Sequence, residues 1–152
     1  MTDLPAVRPH RGGRIALTAL LLLTAGISVV VDWNDSHIFN EHWPPHAVFH
    51  DVVLLGFLSI LCIGAVYLLW RRSAEPNVAL ATATAIPVAF WGMFFIATLV
   101  PGSSPTTHPG EPPPASFAGW AIYPNMVVAT IALPWALASY ITGRVKPAAP
   151  HS

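Results

Sequence analysis

Two histidines four residues apart, His46 and His50, follow the proline pair Pro44-Pro45 and run directly into a carboxylate, Asp51. Proline suits the start of a helix, where its missing N–H would be unpaired anyway, so the stretch predicts a helix beginning near Pro44. On that helix His46 and His50 share one face about 6 Å apart along the axis, while Asp51 is turned by about 100° toward a different neighbour. An imidazole titrates near neutrality, and a carboxylate beside it can hold its tautomer and support its charged form, which is the equipment of general acid/base catalysis. The same pair is also half of a divalent-metal site, which normally takes a third ligand. His46, His50, Asp51 and Asp32 are the expected catalytic groups. Trp43, Tyr123, Asn125 and His37 are the expected substrate-binding groups, and His46 and His50 are the expected metal ligands.

The rest of the chain reads as scaffold for these residues. Of 152 residues, 54% are hydrophobic and only 9% charged, a membrane composition that leaves no basic surface for nucleic acid. The one cysteine, Cys62, excludes an intramolecular disulfide and a cysteine-based metal motif, and there is no nucleotide or haem motif. Uncharged apolar runs at 15–31, 52–70, 78–100 and 120–142 predict helices at about 15–33, 45–70, 78–100 and 119–142. Outer loops are expected at 34–44 and 101–118, the second held irregular by its prolines and glycines. The first run is expected to be an uncleaved span; a signal peptide is the rival reading, weakened because VVVDW offers no small-residue cleavage site and further spans follow. The fold class expected is an all-α integral membrane four-helix bundle forming one domain. Small residues at Ala79, Ala81, Ala83 and Ala85, and at Ala129, Ala132, Ala136 and Ala138, allow close helix packing.

Charge orients the bundle. All seven Lys and Arg fall in the N-terminal stretch, the connection at 71–77 or the C-terminal stretch. The positive-inside rule then puts both termini in the cytoplasm and the histidine-rich stretch at 33–51 on the outer face. Trp33, Trp43, Trp70 and Trp120 sit at expected span ends, as interfacial aromatics do. Counted inward, His50 and Asp51 lie about 9 Å down the second helix, Asn125 at a similar depth in the fourth, and Thr98 can join them from the third. Ionisable groups at such depth usually face the bundle interior. Each also has a plainer reading: His46 and His50 as helix-end hydrogen bonders, Asp51 as a loop-holding partner, Asn125 as helix glue, the tryptophans as anchors. His108 in the second loop carries little weight. Asn34-Asp35-Ser36 fits a glycosylation sequon that only a eukaryotic host would use.

The run Trp33-Asn34-x-Ser36-His37-x-x-Asn40-x-x-Trp43-Pro44-Pro45-His46-Ala47-x-Phe49-His50 resembles the signature of an uncharacterised family of small four-span membrane proteins of bacteria and fungi. That resemblance implies the architecture and directs attention to these residues; it implies no reaction. A looser likeness, in architecture alone, is to the small bundles of the sterol-isomerase and sigma-2-receptor superfamily. Three functions are open. One is a membrane-embedded acid/base enzyme (isomerase, cyclase or epoxide-opening) acting on a lipophilic small molecule. The second is a divalent-metal-binding protein, and the third a non-enzymatic ligand-binding or assembly subunit. The lipid bilayer is the expected partner in all three. A transporter of soluble substrates fits less well, because the inner halves of the spans offer almost no ionisable path.

Overall fold

The computed structural model describes residues 7–105 and 114–146. Four helices, α1 (Arg11–Asp32), α2 (Pro45–Trp70), α3 (Pro76–Ala97) and α4 (Pro124–Gly143), account for most of them. Each is long and apolar enough to cross a membrane, as a multi-pass membrane protein requires. The His108 segment lies outside the described residues.

Three of the helices start on proline: Pro45, Pro76 and Pro124 each occupy the first turn, where no N–H is missed. Buried residues then recur at alternating spacings of three and four. In α2 they are Leu55, Leu58, Cys62, Ala65 and Leu69, and in α4 they are Ala129, Ala132, Ala136, Ser139 and Gly143. That is the narrow seam of a bundle packed at small crossing angles. The remaining faces are also apolar yet exposed, which in water would be untenable and in lipid is the natural state. Of the small residues expected to mediate packing, Ala83, Ala129, Ala132 and Ala136 are buried, whereas Ala81, Ala85 and Ala138 face outward.

Sequential helices are neighbours, α1 also closes on α4, and α1 meets α3 across the short diagonal; α2 and α4 do not touch. The backbones of α1 and α4 come close together at Gly13. A Cβ on Gly13 would overlap the backbone nitrogen of Gly143 and the carbonyl of Ser139. This contact fits α1 starting at Arg11, four residues before the apolar run: α4 packs on the side-chain-free surface of Gly13. Inter-helix hydrogen bonds add direction, from Trp91 Nε1 to Thr24 Oγ1 at 3.0 Å and from Trp135 Nε1 to the Ala16 carbonyl at 3.1 Å.

One end of the bundle gathers the chain's cations. Val7 and Ser73 exchange backbone hydrogen bonds, His10 N–H donates to the Gly143 carbonyl, and the Asn77 amide pairs with the backbone of Val145. The Arg14 guanidinium lies 4.3 Å from the centre of the Trp70 ring. At the opposite end are the 33–44 connection and a two-stranded hairpin, β1 (Ser116–Phe117) with β2 (Trp120–Ala121), turning through Ala118 and Gly119, both at positive φ. Trp120 therefore sits on the hairpin, not on a helix end. Because the hairpin and the two residues after it use up the start of the fourth apolar run, α4 begins at Pro124 rather than near 119.

Candidate functional site

The connection from α1 to α2 is built by side chains that bond their own backbone. Asn34 Nδ2 donates to the carbonyls of Val31 at 2.6 Å and Val30 at 3.2 Å, closing the C-terminus of α1. Its Oδ1 accepts from Ser36 N at 2.8 Å and from Ser36 Oγ at 2.6 Å. The backbone then folds back, with Ile38 N–H donating to the Asp32 carbonyl at 3.1 Å. Asn40 is buried and repeats the device, donating to the Ser36 carbonyl and accepting from His42 N. Trp33 packs edge-on against Phe39, and His37 edge-on against Trp43 with ring centres 5.1 Å apart. The motif residues of this stretch are thus mostly architectural. The amide nitrogen that a glycan would need is already committed to two helix carbonyls.

This fold-back presents His37 to Asp32, with Nε2 3.6 Å from Oδ1 and both side chains about a fifth exposed, at 19% and 22%. Asp51, one turn and a half into α2, lies within electrostatic reach of both groups. Its Oδ2 is buried and has no hydrogen-bond partner. The hydrogen-bond chain also settles the proton on His37. Two carbonyls accept from the Asn34 nitrogen, so its oxygen must face Ser36 and take the hydroxyl proton. The Ser36 oxygen is then left as an acceptor for His37 Nδ1, 2.7 Å away, and Nδ1 carries the N–H. A bare Nε2 facing an ionised carboxylate would set two lone pairs against each other. At 3.6 Å the two atoms are beyond hydrogen-bond distance, and the contact becomes an ion pair when Nε2 carries a proton.

The other expected site residues divide into two groups. His46 and His50 are exposed on the first turns of α2, with their Nε2 atoms 3.0 Å apart. Trp43 is half-buried against His37. Tyr123 and Asn125 are elsewhere: Tyr123 precedes α4, and Asn125, in the first turn, donates to the Pro105 carbonyl at 3.4 Å and caps its own backbone at Met126 N. The late start of α4 leaves Asn125 at the mouth of the bundle instead of a turn and a half down. Because α2 and α4 are diagonal, neither residue is brought to the α2 histidines. Thr98 bonds the Phe95 carbonyl of its own helix. Ser36 and Asn34 are the contributors that residue-type reasoning passed over; their signal was the Asn-x-Ser spacing, which also describes an Asx turn. Among the described residues no three His, Cys, Asp or Glu side chains converge as a metal cage would need.

No characterised protein and no solved structure gives a significant match to this chain. A protein family does match, over residues 16–146, a stretch that takes in all but the first turn or so of α1 and the whole of the site. The four-span chain with its folded-back connection from α1 to α2 belongs to DUF6640, a family of unknown function.

Proposed function

We propose that the end of the bundle carrying Asp32, His37 and Asp51 exchanges protons with a lipophilic small molecule, as the active site of a membrane-embedded acid/base enzyme. The observation that carries this reading is the unpartnered buried oxygen of Asp51 within electrostatic reach of the Asp32–His37 pair. Buried polar atoms are nearly always satisfied, and a carboxylate oxygen left open is poised for a substrate hydrogen. Asp51 is the base that removes a proton from carbon; the Asp32–His37 pair, with a proton on His37 Nε2 in this reading, returns one elsewhere on the same molecule. The proton on Asp51 then passes to the pair, so an isomerisation leaves the protein unchanged. Cyclisation or epoxide opening would draw on the same donor. A shallow, open groove of about 300 Å³ along the outward face of α1, lined by Leu22, Leu23, Gly26, Ile27, Val30 and Val31, suits an apolar substrate body. By the positive-inside rule the cationic end faces the cytoplasm with both termini, and the site faces outward.

The reaction class suggests its own assay. The purified protein is incubated with the lipid extract of its host membrane in deuterated water, and lipids that gain deuterium on carbon are sought by mass spectrometry. Wild-type protein is expected to label at least one species, with the label lost in Asp51→Asn and reduced in His37→Gln. A label that survives undiminished in Asp51→Asn would overturn the assignment.

A further inference from the structure

His46 and His50 take no part in that group: both rings are exposed, whereas Asp51, turned to another side of α2, is half-buried. Their Nε2 atoms are 3.0 Å apart and the ring planes stand at 87°. Such a contact between imidazole nitrogens needs one N–H and one bare lone pair, so a single proton lies between the rings. A metal ion would replace that proton, and the nitrogens already stand at a chelating separation. With metal–nitrogen bonds of about 2.0–2.1 Å, the 3.0 Å separation corresponds to an angle at the metal of roughly 94°. Two adjacent corners of a square or an octahedron have that angle. A tetrahedral ion would want roughly 109°, and the nitrogens about 0.3–0.4 Å further apart.

We infer that His46 and His50 bind one divalent late first-row transition-metal ion through two adjacent positions, with Cu²⁺ preferred over Ni²⁺ and Zn²⁺. Imidazole nitrogen suits these ions, tetragonal geometry favours copper, and copper heads the affinity order for a given nitrogen set. No third His, Cys, Asp or Glu side chain among the described residues closes the site, so the remaining positions are open to water or to a ligand from outside. Such a site exchanges its metal and makes no contribution to holding the fold. It stands whether or not Asp51 acts as a base.

The test uses the full chain, without a polyhistidine tag, in detergent with one equivalent of Cu²⁺. Electron paramagnetic resonance is expected to show an axial signal coupled to two nitrogens. His46→Gln and His50→Gln should each weaken binding by about tenfold or more and reduce the coupling to one nitrogen. His10→Gln and His42→Gln should change neither. On the unmutated chain, Cu²⁺ should protect His46 and His50 from carbethoxylation, read by peptide mass spectrometry, which covers the case of a variant that fails to fold. Copper binding that survives both α2 variants, protection confined to other histidines, or displacement of Cu²⁺ by equimolar Zn²⁺ would overturn the inference.

Discussion

Asp51→Asn preserves the shape of the side chain and removes its charge, and the structure predicts that it stabilises the protein while abolishing proton exchange. The Oδ2 atom is buried without a partner, and the Asp32 carboxylate lies within electrostatic reach. Leaving a buried polar atom unsatisfied costs about 1–3 kcal/mol, and more when it is charged. The neighbouring like charge adds to that cost, and an amide at the same place could instead donate to Asp32. Against this stands the attraction of Asp51 to His37, which is partly exposed and screened and is worth about 1 kcal/mol or less. The balance favours the variant by about 1–2 kcal/mol. On the scale of a soluble domain of similar length, that is about 2–8 °C in melting temperature. Both proteins would be unfolded reversibly in the same detergent near neutral pH and again in acid. The advantage of Asn should narrow in acid, because a protonated Asp51 is as neutral as the amide; the wild type thus gains relative stability as pH falls. If Asp51→Asn lost 1 kcal/mol or more near neutrality, the carboxylate would have a stabilising partner and its role would be structural.

Neighbouring glycines should answer to alanine with opposite signs. At Gly12 nothing lies near an added Cβ, so alanine should stabilise α1 by up to about 1 kcal/mol through helix propensity. At Gly13 the same gain is outweighed by overlap with the α4 backbone, where overpacking costs about 1–3 kcal/mol or more, and unfolding of the two variants side by side would expose the contrast. Asn34→Ala removes the cap of α1 and should cost about 1–2 kcal/mol. It also frees the Ser36 hydroxyl to donate to His37 Nδ1, so ¹⁵N NMR of the imidazole should show the proton moving from Nδ1 toward Nε2; an unchanged tautomer would refute the hydrogen-bond chain.

The spans and their number are legible in hydropathy because lipid imposes one requirement, an uninterrupted apolar length, on each helix separately. What hydropathy misplaced were boundaries set by something other than apolarity. Pro124 marks the start of α4 as Pro45 marks that of α2, but the apolar run continues upstream through a hairpin whose Phe117 and Trp120 are as hydrophobic as any span residue and 76% and 79% exposed. The Gly12-Gly13 pair looks like a flexible tail until α4 is packed against Gly13. The site shows the same division. His46 and His50 meet because four residues is a helical repeat, a purely local fact. Asp32 and His37 are five apart across a helix end, and they meet only because Asn34 caps the helix and turns the chain back. Tyr123 and Asn125 share with the α2 histidines an end of the bundle, but not a side of it, and which helices are diagonal is a property of packing that no single segment carries. The polar residues at this end of the bundle therefore resolve into separate jobs. Asn34, Ser36 and Asn40 build the connection, Asp32, His37 and Asp51 form a group that the connection assembles, and His46 and His50 form a pair that the helix alone assembles. Asn34→Ala should accordingly disturb the Asp32–His37 pair while leaving the His46–His50 contact intact.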